Sequence, residues 1–256
     1  MDEDTENLLT GLRLHKDSDG IAEFMLQLER EGPCPPMYAF REGLRFIANK
    51  RQEKKIATWM TTARFPSNFC ATQFDPKLSS ISAKKLEELT GLTWLERGEN
   101  LLMSGPTGLG KTLLSVHIGK QAVVRGYRTF FIEEKDMTER LIEARNTSPQ
   151  AYKRRMQHYR SQDLLIIDDV GRVGERSEGF CEILHARHAD RKSTIITTNQ
   201  AIANWACCDT LSLHLRASTE RFLEFAHNLA FRGESLRLLA YQRKNSRVVK
   251  SKDDAR

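Results

Sequence analysis

The stretch LLMSGPTGLGKTLLS, residues 101–115, decides how the rest of the chain is read. A short apolar run ends at Ser104, GPTGLGKT follows at 105–112, and a helical pattern opens at Lys111. Glycines let backbone N–H groups turn inward around an anion, and the N-terminus of the next helix adds partial positive charge at the same spot. The pattern GxxxxGK[ST], lying between a strand and a helix, therefore predicts a loop that cradles nucleotide phosphates. Its expected ligands are Gly105, Pro106, Thr107, Gly108, Leu109, Gly110, Lys111 and Thr112. Lys111 would meet the β- and γ-phosphates, and the Thr112 hydroxyl would complete a Mg2+ shell. Many chemistries share such a cradle, so the surroundings have to say which one this is.

Outward from the loop, strand and helix patterns alternate. NLLMS, RTFFIEE, DLLIIDD and KSTIITTN are short continuous apolar runs, as strands covered on both faces should be, and helical stretches separate them. A parallel α/β sheet is predicted. The crossover between the second and third runs is long, with one helix near 135–145 and another near 149–160. After Asn199 come a helix around 209–222, a weaker edge strand in EFAHNLAF, and a basic tail. Ligands bind at the C-terminal edges of such sheets, where DLLIIDDVG delivers Asp168 and Asp169. Asp168 is expected to hold Mg2+, partly through water. Asp169 is placed to orient or deprotonate an attacking water, although a glutamate would reach about one bond further; capping the following turn is the plainer alternative. Asn199, ending the fourth strand, can orient the same water and sense the γ-phosphate, or it can simply cap the next helix.

The chain has 256 residues and a formal charge of +6, which predicts one main domain with an extension and favours an acidic polymer, such as nucleic acid, as partner. The acidic start and the lack of any long apolar run lead to the expectation of a soluble, cytoplasmic protein with no membrane partner. Five cysteines without CxxC spacing read as reduced structural thiols, and HARH, with His185 and His188, lacks a recognisable third metal ligand. Expected boundaries are a helical N-terminal domain at 1–64, a linker with short helices at 65–98, an ATPase domain at 99–243 and a basic tail at 244–256. Within the first of these, acidic residues dominate 2–30 and basic ones follow, with Lys50, Arg51, Lys54 and Lys55 in NKRQEKK. ARFPSNF, 63–69, then ends the helix, since the residue before Pro66 is pushed out of the α region. In the crossover, SPQAYKRRMQHYR sets Lys153, Arg154 and Arg155 among Tyr152 and Tyr159. Both basic patches are candidate DNA contacts, binding through phosphates without reading sequence, and both have a solvated charged face as their alternative.

Taken together and in order, NLLMSGPTGLGKTLLSVHIGKQAVVRGYRTFF, DLLIIDDVGRV, RKSTIITTNQAIANW and FRGESLRLL resemble the IstB-like ATPases of insertion sequences, relatives of the DnaC helicase loaders within the AAA+ class. The likeness spans roughly 63–240, and ARFP followed by WLERGEN sharpens it toward the IstB side. It implies an AAA+ type P-loop NTPase fold, a parallel five-stranded sheet flanked by helices and preceded by a small all-helical domain. It also implies ATP and Mg2+ as cofactors, hydrolysis of ATP, and self-association into an ATP-dependent oligomer with sites between subunits. Arg221, in ASTERFLEF, falls where an arginine reaches the neighbour's γ-phosphate, with Arg216 its rival; Arg237, in GESLR, would touch nucleotide or close the interface. The implied partners are double-stranded DNA and a transposase, or, on the DnaC side, a replicative helicase. A small-molecule kinase fits Asn199 with the late Arg221 poorly, whereas an ATP-held scaffold stays open because Asp169 is short.

Overall fold

Five apolar segments pair in parallel in the computed structural model, which describes residues 18–32, 34–70, 81–171, 178–202, 205, 211–233 and 235, with 4, 6, 7, 10 and 14 near the start. They are β1 (Asn100–Ser104), β2 (Thr129–Glu133), β3 (Leu164–Val170), β4 (Ser193–Thr198) and β5 (Ala226–Ala230), in the order β2-β3-β4-β1-β5. Neighbouring residues on a strand point to opposite faces, so each strand feeds two cores. On one face Leu101, Met103, Phe131, Leu164, Ile166 and Ile195 pack with Leu114, Val116, Ile118 and Ala122 of α6 and with Leu89 and Trp94 of the short helices α4 and α5. These helices span Lys111–Val124, Ala83–Gly91 and Thr93–Glu96. On the other face Leu102, Phe130, Ile132, Leu165, Ile167 and Ile196 meet Met137, Leu141, Tyr159, Phe180, Ile183 and Phe222. Those come from α7 (Glu134–Thr147), α8 (Pro149–Arg160), α9 (Glu178–Ala189) and α10 (Leu211–Glu224). The parallel sheet and the two crossover helices thus stand where the sequence put them.

The local stops are those the residue chemistry calls for. Ser82 caps α4 by accepting from the Lys85 amide at 3.2 Å, and Ser148 caps α8 by accepting from the Ala151 amide at 3.0 Å, ahead of Pro149 at the first helical position. Past the end of α2 (Pro36–Thr62), buried Ala63 accepts the Phe131 amide at 2.8 Å and so covers part of the β2 edge. Phe65 of the same ARFP turn packs at Gly119, where an added Cβ would lie 2.8 Å from its ring. A short helix α3 (Ser67–Cys70) follows.

Two compact units divide at the Thr58–Trp59 junction, inside α2. In the first, Phe24 of α1 (Ser18–Arg30) stacks on Phe46 with centroids 4.7 Å apart. No residue of α2 is buried; Met37, Phe40 and Leu44 are more than half exposed, and Arg51, Lys54 and Lys55 lie on the surface. Lys50 pairs with Glu53 at 3.3 Å. No helix among the described residues is long and apolar enough to cross a membrane.

One guanidinium sits almost wholly inside the second unit. Arg187 of α9 is 1% exposed, and its guanidinium donates to the carbonyls of Tyr159 (2.8 Å), Arg160 (3.2 Å), Gln162 (2.9 Å) and Ser193 (2.5 Å) and to the Thr194 hydroxyl (3.0 Å). It therefore ties the end of α8 and the loop after it to the start of β4. Burial pulls its pKa down to about 9, against the charges of Asp163 and Asp190. Arg187→Met would leave several buried carbonyls without donors, at about 1–3 kcal/mol each. We expect urea unfolding to register a loss of at least about 3 kcal/mol, with Arg187→Lys intermediate because one ammonium cannot span both ends of the fork.

Candidate nucleotide site

The loop 105–110 leaves the C-terminal end of β1 and turns into α6 through glycines at positive φ. Two of them are held there by close neighbours. A Cβ on Gly105 would lie 2.4 Å from the Phe231 carbonyl oxygen, and one on Gly108 would lie 2.2 Å from Ser235 Oγ. The Phe231 amide donates to the Ser104 carbonyl at 2.7 Å, so the segment leaving β5 crosses directly over the loop. Arg237, two residues beyond Ser235, lies outside the described residues. Lys111 is 8% exposed, and its Nζ donates to the Gly105 and Pro106 carbonyls, both at 2.7 Å.

Beside the loop, β3 delivers Asp168, which is 7% exposed. The Thr112 hydroxyl lies 2.9 and 3.0 Å from its two carboxylate oxygens, and the Thr197 hydroxyl of β4 donates to Oδ1 at 2.5 Å. Burial pushes the Asp168 carboxyl above its ordinary range, the two hydroxyls pull it back, and the charges of Asp169 and Glu133 add to the upward push. Thr112 can keep its proton on Asp168 while offering a lone pair to a cation. Such an oxygen-only set suits Mg2+. Asp169 is turned out of the sheet: the β3–β4 register slips between Ile167 and Val170, and Asp169 is exposed at φ 56°. Its amide donates to Thr197 Oγ1 at 3.0 Å. Asn199 is exposed just past β4, in a turn closed by Thr198, whose hydroxyl donates to the Gln200 carbonyl at 3.2 Å and accepts from the Gln200 amide at 3.1 Å.

Other residues fall elsewhere or were not foreseen. Arg221 is exposed on α10 with Nη1 2.9 Å from His185 Nδ1, and Arg216 pairs with Glu220 at 3.0 Å. The end of α10 is fixed to the start of β1, since the Asn100 side chain donates to the Phe222 carbonyl at 3.0 Å and its amide to Phe225 at 2.8 Å. Arg221 therefore stands at the edge of the sheet opposite the phosphate loop, roughly 13 Å away at strand rise, and is not part of its own chain's loop site. Sequence reasoning missed Thr197, because every β4 position is buried and carries no face signal. It also missed Glu134, 6% exposed at the C-terminal edge beyond β2; burial raises its carboxyl, the Thr138 hydroxyl bond at 2.8 Å opposes this, and the Asp169 charge adds to it. The doubled glutamate after β2 was the available signal. Arg154 and Arg155 open onto a cleft between α7 and α8, which Arg140 and His158 also line, while Lys153 is exposed on α8.

The family model described as IstB-like ATP binding protein matches residues 44–245. The ATP-binding protein of insertion sequence IS21 from Pseudomonas aeruginosa is 30% identical over 196 residues, covering 74% of this chain and 72% of its own length. That of insertion sequence IS5376 from Geobacillus stearothermophilus is 29% identical over 192 residues, covering 74% and 76%. Among solved structures, DnaI superposes with a TM-score of 0.55 at 15% identity over 66% of this chain and 95% of its own. The DnaC helicase loader gives 0.52 at 20% identity over 65% and 100%. At such identities the two structures speak for the fold alone.

Two expectations follow for the bare site. A carboxyl whose folded pKa lies above its unfolded value costs stability once ionised, and the cost disappears as pH falls through the raised value. Asp168→Asn should therefore raise the melting temperature of nucleotide-free protein at neutral pH by about 2 °C or more, and should erase the further rise that Mg2+ gives with ATP; differential scanning fluorimetry reads both. Lys111→Ala should weaken ATP binding at least about 10-fold, measured with a fluorescent ATP analogue.

Proposed function

The chain belongs to the family of IstB-like ATP-binding proteins, and on that premise we propose that it is an AAA+ ATPase that assembles on double-stranded DNA with ATP bound and assists a transposase in DNA transposition. The observation that carries this reading is the family match across 44–245, supported by relatives named for ATP binding in insertion sequences. The expected cytoplasmic setting goes with it.

The loop amides and the α6 N-terminus take the β- and γ-phosphates, and Lys111 exchanges the Gly105 and Pro106 carbonyls for phosphate oxygens. Thr112 and Asp168 would hold Mg2+, Asp168 partly through water, and the ion would supply charge stabilisation to the phosphoryl group. Asp169, swung outward by its bulge, orients the attacking water, and Asn199 contacts that water and the γ-phosphate from the end of β4. The γ-phosphate is completed from a second copy. Arg221 lies on the far edge of its own sheet, as an arginine acting on a neighbour can, and Arg216 is about 7 Å further along the same helix. Arg237, outside the described residues, is the remaining candidate for a contact to nucleotide or to the subunit interface.

DNA is held by its phosphates. Arg154 and Arg155 meet Arg140 and His158 across one cleft, with Glu143 the single acidic residue among its lining, and Lys153 is exposed on the same helix α8; in the first unit Lys50, Arg51, Lys54 and Lys55 form a separate basic patch. Such contacts supply affinity through released counterions and leave sequence unread. The likeness to a helicase loader is one of fold at 20% identity, which gives no ground for a replicative helicase as partner.

Fluorescence anisotropy of a duplex probe with ATP, with ADP and without nucleotide tests the proposal. Binding that needs ATP supports it, and absence of duplex binding in every state would overturn it. Arg154→Ala with Arg155→Ala should flatten the slope of log affinity against log salt by about 2. Asp169→Asn should keep ATP binding, stop turnover and leave the protein on DNA; unchanged turnover would assign the water to another base.

A further inference from the structure

Between the paired residues Ile167↔Ile196 and Val170↔Thr198, β3 carries Asp168 and Asp169 while β4 carries Thr197 alone. Two residues facing one is a β-bulge, and a bulge leaves the extra residue without a ladder partner. Here the single residue opposite supplies it. Thr197 is 2% exposed, and its Oγ1 accepts the Asp169 amide at 3.0 Å while its proton goes to Asp168 Oδ1 at 2.5 Å. One hydroxyl thus uses its donor on one aspartate and a lone pair on the other. A valine of the same shape would fit the strand equally well and could do neither.

We propose that Thr197 is a positioning residue for ATP hydrolysis, fixing the Asp168 carboxylate for the cation and the Asp169 bulge for the attacking water. The inference rests on the ATPase reading given above. Asp168 has two oxygens and two hydroxyl partners. With Thr197 held on Oδ1, the carboxylate keeps one rotamer whichever way Thr112 turns to ligate. Asp169 reaches its exposed position only while its backbone stays at φ 56°, a conformation that costs an L-residue energy and persists only where its surroundings impose it. The Thr197 bond to the Asp169 amide is that imposition. Thr197 also stands two residues before Asn199, which lies just past the end of β4, so one strand end carries both the brace of the two aspartates and the candidate water-orienting amide.

The test compares Thr197→Val and Thr197→Ser with the parent protein. Three quantities are read: affinity for a fluorescent ATP analogue in EDTA, the gain in that affinity on adding Mg2+, and kcat with KM for ATP hydrolysis in the presence of duplex DNA. The valine variant should bind the analogue in EDTA within 2-fold of the parent, lose most of the Mg2+ gain, and drop in kcat by at least about 10-fold, with KM rising by no more than the Mg2+ gain lost; the kcat part of the loss is the one expected when an interaction made at the transition state is removed. The serine variant should restore both within about 2-fold, since it keeps the hydroxyl. Thr197→Ala carries the valine expectation should valine not fold. Parental Mg2+ gain and kcat in the valine variant would overturn the inference, as would a serine variant as impaired as the valine one, because the methyl group and not the hydroxyl would then be what matters. A parent protein that turns over no ATP would instead sink the ATPase reading, and the Mg2+ gain in binding would still decide whether Thr197 sets Asp168.

Discussion

A carboxylate buried at the end of a central strand is the constraint around which this site is built. Asp168 has left water, and hydroxyls on α6 and β4 hydrogen-bond its carboxylate. A buried acceptor is tolerated only when satisfied. The sheet order follows the same need: β3 has β4 on one side and faces α6 across the core, so both hydroxyls reach one carboxylate. The phosphate loop inherits its position from this arrangement, because α6 begins at Lys111 and Thr112 is its second residue.

Much of this was legible in the sequence, for a physical reason. A doubly covered parallel strand must be apolar at every position, so NLLMS, TFFIE, LLIIDDV and STIITT announce themselves as runs, and the loop glycines announce the turn between the first run and its helix. What the same rule hides is which buried position matters. Thr197 sits in a strand that is buried throughout, and threonine is as ordinary there as valine. The bulge at Asp169 was equally silent, since DDV reads as an unbroken strand end until the register with β4 is known. Arg187 was passed over because HARH draws the eye to its histidines, although a buried guanidinium carrying five hydrogen bonds is the more consequential residue. Arg237 and the basic tail fall outside the described residues, so no geometry bears on them.

The two edges of the sheet divide the labour. At the C-terminal edge lie the loop, both aspartates, Asn199 and the buried Glu134. At the N-terminal edge Asn100 donates to the Phe222 carbonyl in the last turn of α10 and to the Phe225 carbonyl just past it, and Glu99 takes a two-pronged bond from Arg97 and a contact from His227 at 2.6 Å. That brace holds the Glu99 carboxyl at about 2, the Arg97 bond contributing most. Arg221 belongs to this braced end.

The C-terminal edge also leads to the basic cleft. The cleft of Arg140, Arg154, Arg155 and His158 is formed by α7 and α8, and α7 begins at Glu134, directly after the β2 residue that pairs with Asp168. Glu134 is buried one residue from that pairing and feels the charge of Asp169. A change of charge at the aspartates, of the kind a bound cation and nucleotide would bring, therefore acts on the first residue of the very helix that forms one wall of the basic cleft. Interior packing is too dense to absorb a shift at one end of a helix without moving the other. One strand end and one helix, both within the second unit, thus join the aspartates to the basic cleft.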